Sequence, residues 1–219
     1  MQPYSTIQTL RADFAVLAPP PLIGDANGQY RIHIVGNSGE LPSTIGKQLA
    51  ALLGVPFIPL DTLSWKPGWQ ESSSDEMCEK VDRALEGAPH GWVVDGNFAG
   101  SVGPLVGAKS TDIIWLDPPI ALYLPRLVLR TVLRMLRLSE PCSPGCNESL
   151  SNVLFSRESI LWWCITNHRP LRERERARMA QIGIGVGSRV AARKMRRIGG
   201  WGGELRAWLE DVRRMFHRQ

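Results

Sequence analysis

The stretch Arg31-Ile32-His33-Ile34-Val35-Gly36-Asn37-Ser38-Gly39-Glu40-Leu41-Pro42-Ser43-Thr44 decides the fold of this chain. Ile32, Ile34 and Val35 make an apolar strand, Gly36 opens a turn, and an amphipathic run begins near Ser43. Strand, glycine turn and helix form the setting in which backbone N–H groups and a helix N-terminus gather round a phosphate. Laid over the pattern G-x-x-x-x-G-K-[ST], Gly36 holds the first glycine and Ser43 the closing hydroxyl. Leu41 stands at the second glycine and Pro42 at the lysine. Proline removes the ammonium and also a backbone donor, and Leu41 puts a side chain where glycine lets the backbone approach closely. Hydrogen bonds to a charged group stabilise by roughly 1.5–3 kcal/mol each, so the two losses predict phosphate binding weaker by a few orders of magnitude. Pro42 is comfortable in the first turn of a helix. A tight strand-to-helix turn that binds nothing is therefore the competing reading.

At 219 residues and 43% hydrophobic the chain suits one α/β domain with room for an insertion. Eight tryptophans against three tyrosines suggest flat apolar pocket walls as well as core. The net charge of +5 hides an asymmetry. Residues 1–118 carry 7 Lys/Arg against 13 Asp/Glu, and residues 119–219 carry 19 against 8. An acidic half facing a basic half suits an anionic ligand held by arginines, and also nucleic-acid contact. The four cysteines, Cys78, Cys142, Cys146 and Cys164, form no repeated C-x-x-C framework. Cys142 and Cys146 suit a disulfide-clipped loop or half a metal site, with only Cys164 and His168 on offer as the other half, so zinc is not expected. No signal peptide and no apolar run near 18 residues is present, which predicts a cytoplasmic protein away from the membrane.

Residues 1–30 read as an N-terminal extension, with a short helix over 6–17 and a linker at Pro19-Pro20-Pro21. The domain spans 31–219. A first strand at 31–35 leads into the loop and a helix at 43–53 that buries Ile45, Leu49, Leu52 and Leu53. A second strand at 56–60 ends in Asp61. It precedes the aromatic turn Asp61-Thr62-Leu63-Ser64-Trp65-Lys66-Pro67-Gly68-Trp69. A polar helix follows at 74–85, with Ser73 or Ser74 as N-cap. A third strand at 92–98 includes Asp95, and a fourth at 111–116 ends before Asp117. Three acids at strand ends mark the carboxyl edge of a parallel sheet, where such folds bind ligands.

A mostly buried helix is expected from Asp117-Pro118-Pro119 to about 138, with Arg126, Arg130, Arg134 and Arg137 on one face. Such a stripe calls for protein carboxylates or phosphates as partners. Residues 139–148 read as a loop and 155–166 as helical. Residues 169–178 hold five arginines and read as a solvated helix with Arg/Glu pairs. Gly183, Gly185 and Gly187 read as a flexible loop, 189–198 as the fifth strand, and 204–215 as a helix with a Leu205, Trp208, Leu209 and Val212 core face.

Assembled, the chain resembles the P-loop kinase superfamily, in particular its adenylate-kinase-like, topology-modulation or FlaR-like members. The similarity rests on Ile32-His33-Ile34-Val35-Gly36-Asn37-Ser38-Gly39, on the segment from Leu60 to Trp69, and on Trp92-Val93-Val94-Asp95-Gly96-Asn97. It implies an α/β P-loop NTPase fold: a parallel five-stranded sheet flanked by helices, with a helical lid over about 126–178 and an acceptor segment over about 61–90. The resemblance implies that Gly36, Asn37, Ser38, Gly39, Ser43 and Thr44 face the cofactor, with Arg126. It assigns Ser43 and Asp95 to the Mg²⁺ side, Asp61, Trp65, Trp69, Asn97 and Trp162 to the acceptor, and Asp61, Asp95, Arg130 and Arg134 to catalysis. ATP and Mg²⁺ are the implied cofactors, with ATP binding weakened or lost at Leu41 and Pro42.

Three functions follow as expectations. The first is a kinase-fold protein with a small-molecule pocket and an impaired ATP donor site, descended from a phosphotransferase. The second is a binding protein or carboxylate acid–base enzyme using the same pocket without ATP. The third is nucleic-acid binding through the arginine-rich region 169–197, less favoured because no recognised motif accompanies the charge. A small molecule is the expected partner, and the sequence sets no oligomeric state.

Overall fold

The computed structural model describes residues 19–37, 40–98, 100–136, 138 and 160–217, with the backbone alone at 40–42 and 160–161. The expected helix at 6–17, Ser38, Gly39, Arg137, Cys142, Cys146 and the segment 139–159 lie outside the described residues.

The strands are β1 Tyr30–Gly36, β2 Phe57–Pro59, β3 Trp65–Lys66, β4 Gln70–Glu71, β5 Gly91–Asp95, β6 Asp112–Asp117 and β7 Met195–Gly199. The helices are α1 Glu40–Leu53, α2 Leu60–Ser64, α3 Ser74–Glu86, α4 Val102–Lys109, α5 Ile120–Met135, α6 Ile160–Ile182 and α7 Gly203–His217, with a 3₁₀ turn at Val190–Ala192. Five strands form a wholly parallel sheet in the order β2-β5-β1-β6-β7, and β3 and β4 make a separate antiparallel hairpin.

Alternation along β1 divides the core. Ile32 and Ile34 point to one face, where Ile45, Leu49 and Ala50 of α1 and Trp208, Leu209 and Val212 of α7 cover them. Val35, with Ile113, Trp115 and Met195, packs on the other face near Met179 and Ile182 of α6. Further along that face, Trp92 and Val94 meet Met77, Val81 and Leu85 of α3 and Val102 and Val106 of α4. Gly36 is fixed by packing as well as by the loop, since a Cβ there would stand 2.8 Å from the Leu116 carbonyl oxygen.

Several expectations need correction. α1 begins at Glu40, three residues early, so Leu41 and Pro42 lie in its first turn, where a missing N–H breaks no intrahelical bond. Asp61 belongs to the first turn of α2, one step past the end of β2. α5 is not mostly buried: Tyr123, Leu127 and Thr131 are inside, whereas Leu129 and Leu136 are about 60% exposed. The segment read as a linker is seated on the domain. Leu22 is 1% exposed within the core, and Asp112 accepts from Ile23 N at 2.7 Å and Gly24 N at 3.0 Å. The run 183–187 is a hydrogen-bonded turn, not a mobile loop. A Cβ on Gly187 would meet Gln181 O and Gly183 N at 2.6 Å, so the tightness itself demands glycine.

Candidate functional site

The sheet register aligns the carboxyl ends of three strands. Gly36 of β1 lies beside Leu116 of β6, and Ile34 lies beside Asp95 of β5. Ser43, on α1, donates its hydroxyl to Asp95 Oδ2 at 2.7 Å. Burial pushes the Asp95 carboxyl up to about 7, against the Ser43 hydrogen bond; the Asp61 charge adds to the rise and Arg130 opposes it. Asp61 is exposed, yet the protein crowding round it raises its carboxyl too, with Arg130 and Arg134 pulling the other way. Asp61, Asp95, Arg130 and Arg134 thus form one electrostatic group.

Beside them, Asn97 donates from Nδ2 to the Gly36 carbonyl at 3.3 Å and accepts from Arg174 Nη2 at its Oδ1. Arg174 is held from behind by Glu175, whose buried carboxylate takes its Nε at 2.9 Å and also faces Arg178 at 3.7 Å. His33, 1% exposed in the centre of the sheet, donates Nε2–H to Gly96 O at 3.0 Å. Burial holds it neutral, with its pKa lowered to about 4.

The end of β6 is built differently. Asp117, its side chain 2% exposed, receives Arg172 at 2.7 Å and Arg197 at 2.8 Å, and Arg197 stacks over Trp115 at 5.5 Å. Asn37, at the turn out of β1, donates to Tyr123 OH at 2.6 Å and to Cys164 O at 3.1 Å. The Tyr123 hydroxyl in turn meets His168 Nδ1 at 2.8 Å. With Asn37 donating to it, the phenol donates to a neutral imidazole. Burial lowers His168 and raises Tyr123, so both remain uncharged. Asn37, Asp117, Tyr123, His168 and Arg172 line one small crevice.

A second cleft, about 360 Å³ of atom-free space, opens on the far side of Pro118. Arg126, Leu122 and Trp201 line it with the glycines at 199, 200 and 202. Arg126 thus borders a mostly apolar slot that neither Arg130 nor Arg134 lines.

The aromatic turn after Asp61 folds into the β3–β4 hairpin. Trp65 and Trp69 meet edge to face at 5.4 Å, and Trp69 holds φ +59°, a conformation that costs a residue with a side chain about 1–3 kcal/mol. Ser73 and Glu76 make a reciprocal capping box that starts α3 under the hairpin. Two of the expected site residues are exposed: Trp162 is 55% exposed on α6, and Thr44 is exposed on α1. Arg172, Arg174, His168 and Tyr123 were not anticipated. Their signal was the spacing 168, 172, 175, which puts His168, Arg172 and Glu175 on one face of α6.

No protein-family profile and no curated protein matches this chain. Solved structures that resemble it include a gluconokinase from Sinorhizobium meliloti 1021, at 14% identity over 86% of this chain and 94% of that one, with a TM-score of 0.46. A shikimate kinase from Bacteroides thetaiotaomicron matches at 16% identity over 66% and 82%, TM-score 0.40. An uncharacterized protein from Eubacterium ventriosum ATCC 27560 matches at 10% over 87% and 99%, TM-score 0.39. No helix among the described residues is long and apolar enough to cross a membrane. A parallel sheet ordered β2-β5-β1-β6-β7, with helices packed on both faces and a glycine turn leading from its central strand into a helix, gives this chain a parallel α/β fold.

Proposed function

We propose that this protein binds a small molecule in the cleft floored by Asp61 and Asp95, on a kinase fold whose ATP donor half is weakened by Leu41 and Pro42. One observation carries the reading: Ser43 donates its hydroxyl to Asp95 Oδ2 at 2.7 Å at the carboxyl edge, and Asp61 and Arg130 lie near enough to act on the charge of that carboxyl. Carboxylates accept hydroxyl hydrogens and guanidiniums pair with anionic groups. Trp65 and Trp69 offer ring faces beside them.

The two halves of the implied cofactor fit unequally. The Ser43 hydroxyl and the Asp95 carboxylate, 2.7 Å apart, are hard oxygen donors suited to Mg²⁺ and a water on it. The triphosphate side fits poorly, because Pro42 offers neither ammonium nor N–H and electrostatic stabilisation is nearly the whole of phosphoryl-transfer catalysis. No phosphoryl-transfer step is derived. Acid–base chemistry on the bound molecule is the second reading, favoured by an Asp95 carboxyl poised near 7, where a general base works best at neutral pH. Nucleic-acid binding has less support, since Arg172, Arg174 and Arg178 of α6 face Asp117, Asn97 and Glu175.

Calorimetric titration with ATP, with and without Mg²⁺, tests the reading. Binding no tighter than millimolar fits it; micromolar, Mg²⁺-dependent binding would show an intact donor site. The double change Leu41→Gly with Pro42→Lys is expected to raise ATP affinity at least about tenfold. Unchanged affinity would clear those two residues of blame.

A further inference from the structure

Exposed apolar side chains are ordinarily scattered singly over a protein surface. Here they gather. Of the twelve large hydrophobic side chains exposed among the described residues, eight lie on α5, just past its end, or on the first turns of α6. Val128, Leu129, Val132 and Leu136 share one stripe of α5, at i, i+1, i+4 and i+8, with Leu129 60% and Leu136 62% exposed. Trp162 and Trp163 stand 55% and 38% exposed on α6. The two helices meet along one seam, where Tyr123 and Leu127 pack on Cys164, so both sets flank the same joint. The charge on these segments has one sign. No Asp or Glu occurs from 118 to 138 or from 160 to 172, whereas Arg126 and Arg169 are exposed on the two helices.

We propose that this face docks on an anionic lipid surface, with the apolar stripe of α5 and the tryptophan pair of α6 at the boundary between headgroups and acyl chains, and Arg126 and Arg169 among acidic headgroups. The inference is independent of what the cleft binds. Charge selects the occupant. A second copy, paired about a two-fold axis, would set an arginine-flanked face against itself. Nucleic acid would meet the arginines but gain little from leucine and valine. The exposed tryptophan pair favours lipid over an acidic protein groove, because indole settles at the headgroup level of a bilayer. A helix with Leu and Val on one face and Arg on another lies along the membrane interface, its apolar side sunk about 5–10 Å. Such a helix needs no spanning length, so the absence of a spanning helix among the described residues is no bar.

Flotation of the full chain with phosphatidylcholine vesicles, with and without phosphatidylglycerol, is the test. The proteins are the wild type, Leu129→Glu with Leu136→Glu, Arg126→Gln with Arg169→Gln, and the control Val190→Glu. Val190 is 68% exposed but stands in the 3₁₀ turn before β7, on neither helix. Every substituted side chain is exposed, and thermal melts check that each variant folds. Wild type and control should float with the acidic vesicles and bind pure phosphatidylcholine at least about tenfold more weakly. The double glutamate variant should lose roughly a hundredfold in partition, since two leucines leave the acyl boundary. The double glutamine variant should lose about tenfold on acidic vesicles and nothing on neutral ones, a split that a merely structural arginine would not produce. Lipids brominated in the acyl chain should quench wild-type tryptophan fluorescence, and quench it less in Trp162→Phe with Trp163→Phe. Equal binding by the double glutamate variant, or binding indifferent to acidic lipid, would overturn the proposal. So would a wild type that does not float, which would leave the face to an acidic protein. A dimer in sedimentation that the double glutamate variant splits would assign the face to a second copy and overturn it as well.

Discussion

Asp95 and Asp117 end neighbours of the same central strand, one on each side of β1, and nothing in their local sequence separates their roles. Asp117 is met by two guanidiniums within 2.8 Å and belongs to the structure as a tie between β6, β7 and α6. Asp95 has a serine hydroxyl and a neighbouring acid, and stands near neutrality with its charge unsettled. A strand end supplies the address of a functional group; the elements packed over it decide whether the group is used up. At the β6 end α6 closes down with Arg172, Tyr123 joins through His168, and the acid is consumed. At the β5 end α5 brings Arg130 only into the field of Asp95, and the acid stays available.

The largest loss among the variants comes from removing the tie. Asp117→Asn leaves Arg172 and Arg197 facing each other's charge and is expected to destabilise the protein by about 3 kcal/mol, the low end for breaking a buried pair because both arginines are partly exposed. That corresponds to a drop of roughly 6–12 °C in melting temperature. A silent substitution would remove the structural half of the comparison.

Asp95→Asn should act in the opposite sense. The folded carboxyl sits at about 7, above its ordinary value of 3.8, so its contribution is fully present below about pH 4 and is lost as pH rises through about 7. Wild type therefore loses on the order of 4 kcal/mol over that window from this group, and Asp95→Asn does not. Melting both proteins from pH 4 to pH 8 should show the variant gaining on wild type as pH rises. A constant gap would mean that Asp95 is as well partnered as Asp117. The smallest effect belongs to Tyr123→Phe, which deletes the hydroxyl between Asn37 and His168. Asn37 keeps the Cys164 carbonyl, so denaturant titration should find a loss of about 1 kcal/mol.

The parts of this fold that depend on local pattern were legible. Ile32, Ile34 and Val35 announced β1, Ser73 as an N-cap candidate announced α3, and the acids marked the carboxyl edge of the sheet. α4 was not legible, because Gly103, Pro104 and Gly107 argue against a helix. Packing overrides that propensity: Val102 and Val106 are buried. The arginines of α6 looked like a solvated run, since periodicity shows which residues share a face but not which acid of another element that face will meet.

The seating of residues 20–24 has a practical consequence for anyone trimming this protein. Pro20 and Pro21 give their carbonyls to Arg196 and Trp208, Leu22 fills the α1–α7 side of the core, and the next two amides satisfy Asp112. A truncation starting at residue 30 would strip a buried carboxylate of two donors and open a leucine-sized hole, although it removes nothing the strand pattern recognises. Asp112 begins β6, at the edge of the sheet opposite Asp95 and Asp117. An affinity tag joined just ahead of residue 19 would therefore emerge at the back of the sheet, leaving the cleft clear for titrations.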